Sequence, residues 1–456
     1  MAFEESIYFF KQFQTHLHTV GAVLPTSPFA AASMASECAR HRGPKRILEV
    51  GAGTGAISAE IVKHLGPDDR LTLCEIQHEF IEFLRERLER DPNFKHVQAQ
   101  IELVEQSVLD LPSEQKFDYI ISAIPFNACP ADFVAAVFEH YRQLLKPGGV
   151  LSYIEYIGGR ALKLQMANGD ERNPIHAVNA LVERELSAHE FRRDTVLRNV
   201  PPAWVHHLRF AEPDTAQAEL LAPLAQTNRV SVGDVGIDQD GVLFAGGLGL
   251  LAWWLKRSAP KSKLWLLPAL AAPIVGLFFR DPNRRVFRDT QVAYSACDGS
   301  VLSIERVRDE RFGPHEWLRI ATFLSILDVH VNRSPIAGKV VKIIEEEGGF
   351  AMANAAEAEH NVAQYTVIED ARGRRCVVAQ RTGMLARRIV NRAQVGNLLA
   401  QGERFGLIRF GSRVDVYLPA EHFTAAVQPG DQIEGGTTVI ARGIKPAAAA
   451  TTTPAR

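Results

Sequence analysis

Between about residues 45 and 155 the chain alternates short apolar runs with longer amphipathic stretches. The runs are Ile47–Val50, Leu71–Cys74, Ile101–Val104, Tyr119–Ala123 and Val150–Tyr153. Strand-length runs separated by helix-length crossovers predict a parallel, doubly wound α/β sheet. From about 192 to 210 the pattern predicts two further strands around a Pro-Pro turn that close this sheet. Residues from about 211 to 240 look linker-like, with a short Ala/Leu-rich helix. Two apolar stretches follow, Val242–Leu255 and Leu264–Phe279, separated by the basic segment KRSAPKSK. Beyond FFRDPNRR the period changes to short β-rich runs with turn residues. The predicted organisation is an α/β domain over 1–210, a linker over 211–240, an apolar hairpin over 241–280, a mostly β domain over 281–445 and a low-complexity, disordered tail over 446–456.

Each apolar stretch is shorter than the roughly 20 residues that a helix needs to cross a bilayer. If both crossed, the cationic tip would lie outside, against the positive-inside tendency. A re-entrant or interfacial hairpin that anchors the chain to a membrane surface is the better expectation. Lys256, Arg257, Lys261 and Lys263 would snorkel to headgroups, and Trp253, Trp254 and Trp265 would sit at the interface. The alternative is a buried helical hairpin. In the β-rich part, QVGNLLAQGERFGLI and VQPGDQIEGGTTVIA share one shape, an apolar entry, two glycines about six apart and a strand. They resemble half-motifs of biotinyl/lipoyl-type barrel-sandwich domains, but neither turn carries the lysine of a swinging-arm carrier.

At 456 residues, with 46% hydrophobic and 23% charged positions, the chain is long enough for several cores. Its formal net charge of −2 provides no global basic field for nucleic acid. The five cysteines form no CxxC pair, which fits a reducing compartment, and no cluster has metal-ligand spacing. The opening MAFEESIYFFKQF lacks a basic region followed by an apolar one, so no export signal is expected.

Two stretches carry chemistry. The first is Glu49-Val50-Gly51-Ala52-Gly53-Thr54-Gly55, which follows the first strand and opens a helix. Its glycines allow a tight turn and close approach of a ligand to backbone N–H groups. Glu75 ends the second strand, where a carboxylate would accept hydrogen bonds from ribose hydroxyls. This geometry suits NAD or S-adenosylmethionine. The wording ExGxGxG, with FDYIISAIPFN and LKPGGVL downstream, resembles class I methyltransferases, which implies S-adenosylmethionine held by Glu49, Gly51, Gly53, Gly55 and Glu75. Ser107 stands where many relatives place an acidic residue on the adenine. The segment Ser122-Ala123-Ile124-Pro125-Phe126-Asn127 lacks the leading amide or acid of adenine N6-methyltransferases, which argues against nucleic acid. The opening FFKQF…VGAVLPTSPFAA resembles bacterial phospholipid N-methyltransferases instead, which act on phosphatidylethanolamine. Candidate acceptor-site residues are Tyr8, Asn127, Glu155 and Tyr156, whose carboxylate or aromatic faces would stabilise a cationic product.

The second stretch is Phe410-Gly411-Ser412-Arg413-Val414-Asp415-Val416-Tyr417-Leu418-Pro419. With FFRDPNR, SACDGSV, LDVHVNRSPIAGKV and QRTGMLARRIV in the same order, it resembles the short, archaeal-type phosphatidylserine decarboxylases. That resemblance implies self-cleavage at Gly411-Ser412, conversion of Ser412 to a pyruvoyl electron sink, and two chains that remain associated. It also places Asp298 in the family's DG motif and His330 in its DxH motif. Gly411 permits close approach of the Ser412 hydroxyl to its carbonyl. His330, supported by Asp298, is the candidate base and the later proton donor. Arg333 takes the place of a second histidine found in longer bacterial relatives and is a candidate for lipid phosphate or carboxylate; Asn361 is a candidate substrate contact.

The expected protein is therefore a bifunctional phospholipid enzyme on the cytoplasmic face of the cell membrane, peripheral or monotopic. One half would decarboxylate phosphatidylserine and the other methylate the resulting phosphatidylethanolamine. The alternatives are an active decarboxylase whose methyltransferase takes a small molecule, protein or RNA, or a methyltransferase on an unprocessed membrane-tethering scaffold.

Overall fold

The computed structural model describes residues 26–166, 172–224, 229–232, 235–383, 388–409 and 412–444. The chain divides into two compact units, Met1–Asp214 and Thr215–Arg456.

The first unit is a seven-stranded sheet of β1 (Arg46–Val50), β2 (Arg70–Glu75), β3 (Ile101–Glu105), β4 (Phe117–Ser122), β5 (Leu145–Tyr156), β6 (Glu190–Val196) and β7 (Ala203–Leu208), in the order β3-β2-β1-β4-β5-β7-β6. The β1–β2, β2–β3, β1–β4 and β4–β5 pairs are parallel, whereas β7 runs antiparallel to β5 and β6. Helices cover both faces and seal two apolar cores, one around Ile47, Leu71 and Leu84, the other around Leu48, Ile120 and Phe138. The helix His78–Arg90 shows why the pattern folds this way: only Ile81, Leu84 and Leu88 are buried, a single stripe at helical spacing. Strand order reverses between β1 and β4, and in open α/β sheets ligands bind beyond the carboxyl ends of strands at such a switch point.

The second unit is antiparallel. An eight-stranded curled sheet is built from β12 (Gly299–Arg308), β13 (Glu316–Leu324), β15 (Gly338–Glu346), β16 (Ala363–Glu369), β17 (Arg375–Arg381), β19 (Leu398–Leu399), β21 (Ser412–Pro419) and β23 (Gln432–Ile433). Smaller sheets join β14 (Val331–Arg333), β18 (Arg388–Asn391) and β20 (Arg404–Arg409), and β11 (Val292–Tyr294), β22 (Phe423–Ala425) and β24 (Val439–Gly443). The two similar segments form equivalent arms. Each is a two-residue strand, a glycine turn and a longer strand, and Gly396, Gly402, Gly430 and Gly436 all have φ between 75° and 93°. A side chain would be strained at each of the four, which accounts for their matched spacing.

Of the stretch expected as a linker, 211–240, the described residues from Thr215 onward belong to this unit. Ala218 and Leu221 are buried with Leu398 and Ala400. Strands β8 (Arg229–Val232) and β9 (Val235–Asp238) form a sheet with β10 (Arg280–Pro282). These elements are too short for periodicity to reveal. The apolar stretches are helices Gln239–Ser258 and Leu266–Phe278, the first capped by the Asp238 carboxylate, which accepts from Asp240 N–H at 3.1 Å. Gly241 lets their bases meet, since a Cβ there would lie 2.3 Å from that of Phe279. Among the described residues no helix is long and apolar enough to cross a membrane. Leu250, Trp253, Trp254, Leu267 and Leu270 are nevertheless exposed.

Candidate active sites

In the first unit, Gly51, Gly53 and Gly55 (φ +74°, +52° and +75°) wind the turn that leaves β1 at the switch point. A Cβ on Gly55 would stand 2.9 Å from Leu84, so bulk is excluded there as well. Glu75 organises this turn: Oε2 accepts from Gly53 N–H at 2.9 Å, and Oε1 accepts from Ile76 and Gln77 N–H. Each carboxylate oxygen can accept twice, so Oε2 keeps capacity for a further donor. Ser107 caps the turn Val108–Asp110 by accepting from Leu109 N–H at 3.3 Å. Gly51, Gly53, Glu75 and Ser107, with Ile124 and Phe133, line one cleft.

Glu49 lies fully buried beneath this turn, beside Ser58. Burial pushes its carboxyl up to about 8, against the pull of neighbouring Ser58. The cleft, with backbone at Gly51 and Gly53 and a Glu75 oxygen open to a hydroxyl donor, fits a nucleoside cofactor such as S-adenosylmethionine.

The structure brings Asn127 and Tyr156 together, both flanking Gly159. Glu155 is turned into a buried ion network with Arg160 and His206. Burial raises its carboxyl, but His206 and Arg160 outweigh this and hold it below the usual range. That occupancy removes it as a free carboxylate for an acceptor amine. Tyr8 lies outside the described residues.

In the second unit, Ser412 opens β21 and pairs with Leu324, the last residue of β13. It is fully buried, and its Oγ has no hydrogen-bond partner among the described residues. Gly411 lies outside them. Further along the strand, the guanidiniums of Arg413 and Arg381 clamp the fully buried Asp415 at 2.7 and 3.0 Å, fixing the strand that carries the serine. From Leu324 the chain turns through Ser325 and Asp328, whose carboxylate accepts from Ser325 N–H and Oγ, and reaches His330. The His330 carbonyl accepts from Ile408 N–H at 3.3 Å, just before the Phe410-Gly411-Ser412 junction.

The His330 Nδ1 lies 2.9 Å from the Asp328 carbonyl. A carbonyl only accepts, so Nδ1 carries the proton and Nε2 holds the lone pair of a base. Its ring stands 4.2 Å from that of Phe278. Burial lowers its pKa to about 4, against the opposing Asp328 carbonyl and acidic charges. At neutral pH it is an uncharged imidazole.

Asp298 is held differently from expectation. Arg284 binds both its oxygens at 2.5 and 2.6 Å, and Gly435 N–H donates to it at 2.9 Å. Its charge acts on His330 through space. Two further expectations are corrected. Arg333 is buried, at 2% exposure, and three of its donors are taken by Asp281 and by the carbonyls of Pro282 and Gly402, so its side chain is built into the fold rather than presented to a headgroup. Asn361 is buried too; its amide pins Ala351 through both backbone groups and donates to the Thr382 carbonyl. Each became buried because its own partners, not a ligand, satisfy it.

Phe278, Asp281 and Arg284 were not singled out individually by the sequence, yet they reach His330, Arg333 and Asp298 respectively. All three lie in FFRDPNR, and that motif was the available signal.

The two sites define an enzyme with two catalytic centres, a transferase of the class I methyltransferase fold and a carboxy-lyase on a β scaffold. A profile described as phosphatidylserine decarboxylase matches residues 273–441, and one described as methyltransferase domain matches 47–149. The phosphatidylserine decarboxylase proenzyme of Symbiobacterium thermophilum is 42% identical over 181 residues, covering 38% of this chain and 84% of that protein. The corresponding proenzyme of Desulfotalea psychrophila is 38% identical over 208 residues, covering 45% and 96%. The solved O-methyltransferase of Bacillus cereus, in complex with SAH, covers 44% of this chain and 90% of its own at 14% identity, with a TM-score of 0.32. The chain belongs to the phosphatidylserine decarboxylase family and carries a methyltransferase domain ahead of that region.

Proposed function

We propose that the chain cleaves itself between Gly411 and Ser412, decarboxylates phosphatidylserine, and methylates the phosphatidylethanolamine so formed. The observation that carries this reading is the buried Ser412 hydroxyl, without a partner among the described residues, in a stretch of chain tied to His330 through the bond from Ile408 N–H to the His330 carbonyl. His330 Nε2 takes the Ser412 hydroxyl proton as Oγ attacks the Gly411 carbonyl. The C–N bond gives way to an ester C–O bond, and the proton passes to the released amine. Elimination then removes the Cα proton of residue 412 to a base and breaks its Cβ–O bond, leaving Gly411 as a carboxylate and residue 412 as dehydroalanine. One water hydrolyses that residue, and ammonia departs. The pyruvoyl group supplies an electron sink for loss of CO2. His330, neutral at rest, takes a proton from solvent and delivers it to the substrate carbon from which CO2 has left.

In the methyltransferase half, the Gly51–Gly55 turn, Glu49, Glu75 and Ser107 hold S-adenosylmethionine, and Asn127 and Tyr156 face the amine. One half's product is the other's substrate, which gives the fusion its logic. The exposed hairpin anchors both at the cytoplasmic face of the membrane, as a peripheral or monotopic protein. The test supplies phosphatidylserine vesicles and methyl-labelled S-adenosylmethionine. Release of CO2 together with label in extracted lipid is expected; label in RNA or protein but never in lipid refutes the methylation half.

A further inference from the structure

The turn that delivers His330 is built oddly. Asp328 closes it with two hydrogen bonds, yet its tip presents Ile326 and Leu327 to solvent at 53% and 81% exposure. The hairpin's second helix ends beside it with Ile274 and Leu277 exposed at 66% and 60%. One guanidinium joins the two: Arg280 donates to the Leu277 carbonyl at 3.2 Å and to the Leu327 carbonyl. Two residues earlier, Phe278 touches the His330 ring. Arg280 is only partly buried, and among the described residues it meets carbonyls and no carboxylate. A cation without an acid, set between two exposed aliphatic surfaces and next to the catalytic imidazole, has the polarity of an inverted lipid.

We infer that Arg280 binds the phosphodiester of a diacyl glycerophospholipid whose acyl chains lie on a shelf formed by Leu277, Ile326 and Leu327. This deepens the decarboxylase reading and rests on it. The shelf continues the exposed hairpin face, so a lipid can slide from the bilayer with its headgroup leading toward Ser412 and His330. Isolated exposed aliphatics are ordinary; here they adjoin a larger apolar face and border a cation.

The test compares dioleoyl phosphatidylserine in mixed micelles with its deacylated form, glycerophosphoserine, using full-length protein whose self-cleavage is confirmed by mass. Leu327→Ser and Ile326→Ser should lower kcat/KM for the diacyl lipid about tenfold more than for the deacylated one. Arg280→Gln should raise KM for both, roughly ten- to a hundredfold, with a smaller effect on kcat. Equal losses on both substrates in the shelf variants, or an unmoved KM in Arg280→Gln, overturn the assignment. If a second copy of the chain covers the shelf instead, Leu327→Ser will dissolve a dimer seen by sedimentation and leave the substrate ratio unmoved, which also overturns it. A self-cleaved wild type that decarboxylates neither substrate would refute the decarboxylase reading itself, a distinguishable failure.

Discussion

Phe278→Ala should move the acid limit of self-cleavage by about two pH units. The ring lies 4.2 Å from that of His330 and is itself buried, so it forms part of the apolar wall that lowers the imidazole to about 4. Because His330 must be neutral to act as a base, wild-type cleavage should be flat from pH 8 to 5 and fail only as pH falls toward 4. Opening the wall admits water and carries the pKa back toward the ordinary 6.5, a change of up to about 2.5 units or roughly 3 kcal/mol. The linkage has a definite sign. A folded state that rejects this proton is fully stabilised above about 6.5 and loses that contribution as pH falls from there to 4. The substitution also costs about 3–5 kcal/mol of packing, so Phe278→Leu, which keeps an apolar wall, is the control. Precursor made by cell-free synthesis and chased in buffers from pH 5 to 8 would give the cleavage rates. The reasoning predicts a fall below about pH 6 in Phe278→Ala and none in wild type or Phe278→Leu. A wild-type midpoint near 6.5, or a flat profile for a folded Phe278→Ala, refutes it.

Three other outcomes follow from the same geometry. Glu49, raised to about 8 by burial, is largely protonated at pH 7, and a bound cationic amine would draw it down. Titration of S-adenosylmethionine in buffers of different ionisation enthalpy should then show nearly one proton released per cofactor, and none in Glu49→Gln. Asp281→Asn leaves Arg333 and Arg404 without their shared carboxylate, which should lower the unfolding free energy by about 3–5 kcal/mol in denaturant titrations. Replacing Leu250, Trp253, Leu267 and Leu270 with serine should abolish co-sedimentation with anionic vesicles while self-cleavage proceeds.

What the sequence disclosed and what it hid divide along physical lines. The sheet of the first unit was legible because five strand-length runs and a glycine turn are each local patterns, and local patterns survive without knowledge of partners. The paired arms were legible for the same reason: a glycine with positive φ leaves a visible mark at fixed spacing. His330 and Ser412 stood out through motif order. Arg333 and Asn361 were misread because a polar residue in a motif looks the same whether it faces a ligand or a buried carboxylate. Only the fold, by placing Asp281 against Arg333 and Ala351 against Asn361, separates the two. In the segment 211–240 the short helix was legible, whereas strands of four residues carry too few positions to show a period. Phe278 escaped notice since an apolar residue ending an apolar helix predicts burial but not what it is buried against.

The claim on which the whole account turns is that Ser412 becomes the cofactor, and the denatured mass spectrum of purified wild-type protein beside Ser412→Ala tests it most directly. The account predicts two chains from wild type, residues 1–411 and 412–456, the second with a pyruvoyl-blocked N-terminus, and one full-length chain from the variant. A single intact chain from wild-type protein that still decarboxylates phosphatidylserine would contradict it.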